Sequence, residues 1–537
     1  MMRYSAAFLT LVITAVFALS LLLRKKRPSA WGFLELRDGT RLELKNRESL
    51  VGGSASSDVC LTTSRRRVAE GVIEREGNGC RIHPIGKKSD ISVNGTGIKK
   101  AAAISDGDVL TIGGAETVFK LAEVLPEKER APRSGVLYLL LVLALCAALF
   151  ASFFFGLHPS DPAVYALGFG GAAAASVLLY IVNRAFKQGA FGVDAIGLSL
   201  SAIGMSVALS SSPENVYKEL ICLAAGIAVY IVLTLFLRSG AGVRALRRPI
   251  AILGLALIVF ALLTAESILG AKNWIRIAGI SFQPSELVKI AFVFAGAAPL
   301  YSVFNKRNLI VFIAFSALCV GALVLMSDFG TALVFFTAYL VMAFMRSGSF
   351  AAVALSASGA GLAAAIAVGA RPYIAGRFSS WGRAWELYNE GGYQQVRTMT
   401  ACASGGFFGL GAGKGWFKTV FAADTDMVFG VVSEELGLIT AFAAVIMVLL
   451  LAVCAVKSID GEKGGFYAIA ACGAAAIMLA QLALNVFGSL DILPFTGVTF
   501  PFVSNGGTSL IASWGLLAFI KADSVSGKRK VAADEKA

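Results

Sequence analysis

The stretch "SFQPSELVKIAFVFAGAAPLYSVF" (residues 281 to 304) sets a proline, a serine, a glutamate and a lysine at the head of a long apolar run. About 20 such residues are what an α-helix needs to cross a hydrocarbon layer of ~30 Å. Runs of this kind recur from residue 134 to the C-terminus and one precedes them near the N-terminus, about thirteen in all. Composition agrees: of 537 residues, 57% are hydrophobic and 15% charged, and mean hydropathy is +0.74. This is far too apolar for an ordinary soluble domain. Backbone groups in lipid must be satisfied internally, so runs of this length predict a helical bundle and not a barrel.

The eight cysteines are scattered, mostly in apolar runs, with no CxxC spacing, and read as small core hydrophobes rather than a disulfide frame or a metal site. The net charge of +14 lies in short loops beside the spans. There it orients helices and meets anionic headgroups, so the expected partner is the membrane and not nucleic acid.

The first run, "AAFLTLVITAVFALSLLL" (6 to 23), is followed by "RKKR" (24 to 27). That order predicts an uncleaved anchor with its N-terminus outside, a cleaved signal peptide being the alternative. Residues 31 to 123 alternate polar with apolar and carry the turn dipeptides Asp38-Gly39, Asn94-Gly95, Asp106-Gly107 and Gly113-Gly114, which predict a small soluble β-sandwich. "LPEKERAPR" (125 to 133) reads as a linker. With the basic tail "KADSVSGKRK" inside, the loops holding Arg184, Arg238, Arg247, Arg307, Arg346 and Lys457 all fall on the cytoplasmic side. The plan is then an anchor (1–30), a cytoplasmic sandwich (31–123), a linker (124–133), two additional helices (134–190), a helical core (191–521) with a large extracytoplasmic loop (370–426), and a cytoplasmic tail (522–537). That outer loop is too long to be a mere connector.

In this orientation Glu286 and Lys289 open a helix at the outer face. Pro284, Ser285 and Glu286 are what any helix start favours, and Lys289, one turn deeper, can pair with Glu286 or snorkel outward. Locally, structural and functional readings are equally good. Asp328, Asp426, Glu434 and Glu435 also enter spans from the outer side. Ionisable groups inside spans are expensive, so several converging on one leaflet read as a polar site, with a structural salt-bridge network as the alternative.

Five stretches carry a more specific signal: "NWIRIAGISFQPSELVKIA", "SDFGTALV", "GGYQQVRTMTACASGGFFGLGAGKG", "TDMVFGVVSEELG" and "LPFTGVTFPFVSNGGTSL". In order and spacing the chain resembles the SEDS family (FtsW, RodA, SpoVE) over about residues 192 to 521. The resemblance implies ten core helices and a peptidoglycan glycosyltransferase, a hexosyltransferase of the bacterial cytoplasmic membrane. Such an enzyme polymerises lipid II, an undecaprenyl-pyrophosphate-linked disaccharide peptide, into glycan strands during division, elongation or sporulation, beside a class B penicillin-binding protein. It also implies that Trp274, Gln283, Glu286, Lys289, Asp328, Tyr393, Gln394, Asp426, Glu434 and Ser504 bind substrate. Lys289, Arg377 and Arg397 are the cations suited to its pyrophosphate, with Glu286 holding Lys289. No cofactor follows; a divalent cation stays open.

The sequence departs from this family at one chemically decisive position. Between Arg377 and "GGYQ" the family typically carries an aspartate, the expected general base, and here the position is Leu387. Glu386 and Glu390 are the neighbouring carboxylates able to take the proton if the loop is rearranged. Asn273, Asp424, Thr398 and Asn505 are further departures. A catalytically silent SEDS scaffold and a lipid II flippase are therefore the alternatives, the flippase disfavoured because the polar residues concentrate on the outer side. "GFFGLGAGKG" (406 to 415) lacks the P-loop spacing, and its glycines read as small residues between helices.

The sandwich resembles a forkhead-associated (FHA) domain through "LVGGSASSDVCL", "SRRRVAEGVIE", "SVNGTGI" and "ISDGDVLTIGG". That resemblance implies a phosphothreonine-protein reader, with Ser64, Arg65, Arg66 and Asn94 at the phosphopeptide; Gly53 and Arg67 depart from its arginine and histidine. Docking without phosphate is the equal alternative. The expected fold is a polytopic α-helical membrane protein, with a ten-helix core, about three extra N-terminal spans and a small all-β, FHA-like cytoplasmic domain.

Overall fold

A computed structural model describes residues 2–23, 30–46, 48–54, 57–61, 64, 68–76, 79–85, 89–122, 134–159, 161–186, 191–238, 240–268, 271–277, 280–297, 306–370, 379–457 and 465–525. Among them, nine helices are long and apolar enough to cross a membrane. The chain is a multipass membrane protein.

Eleven strands between Gly32 and Leu121 form a sandwich of a six-stranded and a five-stranded sheet. Its tight turns follow from local chemistry. Asn94 and Gly95, with φ of 49° and 80°, join Ile91–Val93 to Thr96–Gly97, and Gly113 and Gly114 (58° and 84°) join Val109–Ile112 to Ala115–Leu121. Both are left-handed pairs that match the twist of a hairpin. Apolar side chains alternate inward, and Leu34, Val51, Ile73, Ile82, Leu110 and Phe119 fill the space between the sheets. Burial of the Asp58 carboxyl, which accepts from the Leu50 amide at 2.7 Å, raises its pKa above the ordinary aspartate value.

The helices are α1 (Met2–Leu23), α2 (Ser134–Leu157), α3 (Pro162–Ala185), α4 (Gly192–Ser211), α5 (Val216–Phe236), α6 (Gly240–Thr264), α7 (Pro284–Gly296), α8 (Lys306–Leu325), α9 (Phe329–Ser347), α10 (Phe350–Ala370), α11 (Tyr393–Gly405), α12 (Val428–Leu436), α13 (Leu438–Lys457), α14 (Gly465–Ser489) and α15 (Gly507–Val525). Nearly every residue of α4 and α14 is buried, so these two form the centre. α15 lies along α5, α14 and α7. Small residues permit the close approach: a Cβ at Gly226 would lie 2.9 Å from the Trp514 ring, and one at Gly204 would lie 2.5 Å from the Phe502 carbonyl. α1 packs on α2 and α13, with Phe17 stacked on Tyr138 at 4.6 Å.

One buried network ties four helices together. The Asp194 carboxylate (α4) accepts from Asn183 (α3) at 2.9 Å, from Lys521 (α15) at 2.5 Å and from the Tyr230 hydroxyl (α5). Asp194 and Lys521 are both fully buried, and each charge is compensated by the other.

The apolar run 427–456 is long enough in the sequence for one continuous span, but the structure breaks it. Gly437 has φ of 90° and separates α12 from α13. The interrupted backbone is satisfied by the glycine-rich segment: Leu410 and Gly411 amides donate to the Glu434 and Glu435 carbonyls, and Leu438 and Ile439 amides donate to the Gly406 and Phe407 carbonyls. Non-helical backbone at membrane depth is tolerated only when paired in this way.

Two faces of the bundle can be named. Strands β12 (Glu266–Ile268), β13 (Ala271–Ile277) and β14 (Ile280–Phe282) form a small antiparallel sheet leading into α7, which defines the hairpin face. At the opposite end, Glu48 of the sandwich accepts from the Gly465 amide at 2.9 Å, at the start of α14, which defines the sandwich face.

Candidate functional site

At the hairpin face, α7 begins with Pro284, and Glu286 and Lys289 share one side of its first turns. The Lys289 ammonium donates to Glu286 Oε1 at 2.6 Å, and the two residues are only 1% and 4% exposed. The lysine therefore pairs and does not snorkel. Glu286 Oε2 is buried with no hydrogen-bond partner. Asp328 caps α9 by accepting from the Thr331 amide at 3.1 Å, and its other oxygen accepts from both Asn273 and Gln283 at 3.2 Å. The sheet, α7 and α9 thus converge on one carboxylate. Trp274, opposite Glu266 in the sheet, is half-buried beside them.

The segment 379–427 carries the next group. Arg397, on α11, lies 4.9 Å from the Trp416 ring, 5.3 Å from Tyr393 and 6.0 Å from Tyr388. A hydrogen bond to Tyr393 raises its guanidinium pKa above the ordinary arginine value. Its buried Nε has no partner, so three aromatic faces hold a cation whose donors are not all used. Gln394 donates to the Phe421 carbonyl at 3.0 Å. Glu386 is exposed and paired with Arg383 at 2.7 Å, and Glu390 is exposed. Leu387 is half-buried between them. Arg377 lies outside the described residues.

This turn is fixed by a residue the sequence did not single out. Asp491, with φ of 62°, accepts from the Gly382 amide at 3.0 Å and the Ala384 amide at 3.1 Å, while Trp381 donates to the Ile492 carbonyl at 3.0 Å.

A third group lies at α12. Glu434 accepts from the Phe417 amide at 3.0 Å; Glu435 accepts from Ser210 at 2.6 Å and from the Gly413 amide at 2.8 Å. Lys418 completes the cluster, donating to the Gly413 carbonyl at 2.7 Å and to Ser210 at 3.3 Å. Both glutamates are buried. One oxygen of the Glu434 carboxylate is thus taken up by loop backbone, and the other, Oε1, is buried with no hydrogen-bond partner. Asp426 and Ser504 are stitched together through α14: Asn485 donates to the Asp426 and Val498 carbonyls at 3.0 and 2.8 Å, and Ser504 Oγ donates to the Thr425 carbonyl at 2.5 Å. Asn485 and Gln481 stand four apart on α14, and polar residues at helical spacing inside an apolar span were the available signal. Among the described residues no three His, Cys, Asp or Glu side chains converge as metal ligands would.

In the sandwich, Ser64 donates to the Gly113 carbonyl at 3.2 Å. The Asn94 side chain bridges Asp108 and the Val109 amide at 2.8 and 2.9 Å. Arg65 and Arg66 lie outside the described residues.

Residues 184–527, more than half of the chain, match the FtsW/RodA/SpoVE family model, described as cell cycle protein. The chain belongs to the FtsW/RodA/SpoVE family. It is 29% identical over 334 residues to the peptidoglycan glycosyltransferase RodA of Mycobacterium tuberculosis, covering 58% of this chain and 71% of that protein. It is 30% identical over 284 residues to a protein of Borreliella burgdorferi named probable peptidoglycan glycosyltransferase FtsW, covering 51% of this chain and 76% of that protein. A solved chain from work described as "Structural coordination of polymerization and crosslinking by a peptidoglycan synthase complex" superposes with a TM-score of 0.51 at 24% identity, covering 64% of this chain and 99% of that one. The fold of the core is therefore that of FtsW/RodA/SpoVE proteins. The sandwich, α1, α2 and nearly all of α3 precede the matched residues.

Proposed function

We propose that this family member polymerises lipid II into peptidoglycan glycan strands, with its hairpin face outside the cytoplasmic membrane and the sandwich and C-terminus inside. The observation that carries this reading is the set of ionised side chains at the hairpin face of a SEDS core: the sealed Glu286–Lys289 pair, Asp328 gathering Asn273 and Gln283, and Arg397 among three aromatic rings. In the reaction a carboxylate takes the proton from an acceptor sugar hydroxyl, and the oxygen attacks the anomeric carbon of a second lipid-linked sugar. Undecaprenyl pyrophosphate leaves, and its developing charge needs a fixed cation. We assign that task to Arg397, with Tyr393, Gln394 and Trp274 around the sugar and the Glu286–Lys289 pair as positioning residues. Asp426, Glu434 and Ser504 hold the surrounding loops. Glu386 or Glu390 serves as base in place of Leu387. A class B penicillin-binding protein is the proposed partner in the membrane, and a phosphothreonine protein the proposed partner of the sandwich.

A second reading is favoured by Leu387 itself. The turn that lacks the aspartate offers only exposed glutamates, one already paired with Arg383, which suits a silent scaffold recruiting a transpeptidase. Assay of the purified full chain with its co-produced transpeptidase on lipid II tests the assignment. Arg397→Gln should lower polymerisation at least ~10-fold, the scale of a lost charge-assisted contact, while the melting temperature holds. An unchanged rate would remove Arg397 from the site.

A further inference from the structure

At the sandwich-face end of α7 lies a buried arginine with two unpartnered donors. Arg346, at the end of α9, is only 3% exposed. Its Nη1 donates to the Gly296 carbonyl at 2.9 Å, and the guanidinium stacks over Phe312 at 4.9 Å. Nε and Nη2 are buried with no hydrogen-bond partner. These two nitrogens form one edge of the guanidinium, the edge whose parallel N–H bonds grip two oxygens of a carboxylate or phosphate. Arg247 stands close enough to repel Arg346 and donates its own Nε to the Ala295 carbonyl at 3.1 Å. A buried cation that faces a second cation is expensive without an anion.

The chain offers none nearby in sequence. In the sequence, the stretches 238–250, 297–308 and 346–350 carry four, two and one basic residues and no Asp or Glu. We propose that Arg346, with Arg247, binds a phosphate anion at the sandwich face, supplied by the headgroup of an anionic phospholipid. Taking that face as cytoplasmic, as proposed above, places the site in the leaflet where anionic lipid is a neighbour. The two arginines hold the last carbonyls of α7, so the bound anion fixes the end of the helix that carries Glu286 and Lys289 at its head.

Native mass spectrometry of the full chain in neutral detergent tests this, titrating in phosphatidylglycerol, phosphatidylcholine with the same acyl chains, or inorganic phosphate. The readout is lipid retention and does not depend on catalysis, so a chain that makes no glycan still tests the site. Wild type should retain phosphatidylglycerol over phosphatidylcholine. Arg346→Lys, which keeps the charge and loses the two-pronged edge, should weaken the tightest lipid at least ~10-fold, and Arg247→Gln should weaken it less. Equal Arg346-dependent binding of inorganic phosphate would uphold the anion site and assign it to a soluble phosphate. Should Arg346→Lys and Arg247→Gln, both folded by melting temperature, retain phosphatidylglycerol as wild type does, the proposal is overturned.

Discussion

The carboxylates of the hairpin face fall into two groups. Glu286, Asp328, Glu434 and Glu435 are buried and each is held by donors from a specific side chain or backbone amide. Glu386 and Glu390 are exposed on the turn 379–392, and Glu386 pairs with an equally exposed arginine. The first group sits where neighbouring donors engage at least one oxygen of each carboxylate, and the second sits in contact with solvent. What the contrast teaches is that buried carboxylates are committed to partners within the fold, which is why the proposed base is placed on the turn that carries Leu387.

The largest test of that contrast is Lys289→Met. It strands the Glu286 carboxylate, and breaking a buried pair from one side costs about 3–5 kcal/mol. A sharp fall in melting temperature is expected, with much of it regained in Glu286→Gln/Lys289→Met; a single variant as stable as wild type would show that the pair does not hold α7. Next comes Asp491→Ala, which removes the acceptor for two amides of the turn at a cost of ~1–2 kcal/mol. Proteolysis within 379–392 should quicken by ~10-fold, the factor such an energy implies when opening is fast, and an unchanged cleavage rate would mean the turn is rigid without it. The Arg397→Gln assay described above, with its loss of at least ~10-fold in polymerisation, is of the same order.

The smallest effect belongs to the sandwich. Hydrogen bonds from the Asn94 side chain and the Ser105 amide hold the Asp108 carboxyl below its ordinary value. A depressed folded-state value means the stabilisation is present above the unfolded pKa of ~3.9 and is lost as pH falls through the folded value. Exchange of the Ser105 and Val109 amides should therefore accelerate only below about pH 4, and Asp108→Asn should abolish that dependence. Acceleration at neutral pH would contradict it.

Local chemistry was legible in the sequence, and long-range closure was not. Asn94-Gly95 and Gly113-Gly114 announce their turns because left-handed conformations select those residues. Glu286 and Lys289, three apart at a helix start, announce a pair. Asp491 grips Gly382 and Ala384 from more than a hundred residues away, and Ser210 reaches Glu435 across 225; no periodicity encodes such contacts. The break at Gly437 was hidden because the apolar run continues on both sides of it. The glycines of 406–415 read as small residues between helices, and two of them lie against α12: a Cβ at Gly409 would come within 2.2 Å of the Glu435 carbonyl, and one at Gly415 within 2.3 Å of the Glu434 carboxylate.

The most direct test of the whole account is glycan-chain formation from lipid II by the full chain with its co-produced transpeptidase, comparing wild type, Glu386→Gln, Glu390→Gln and Leu387→Asp. The account predicts polymer from wild type and its loss in one of the two glutamate variants. No polymer from wild type, together with polymer from Leu387→Asp, would contradict it and leave a sugar site whose base has been lost.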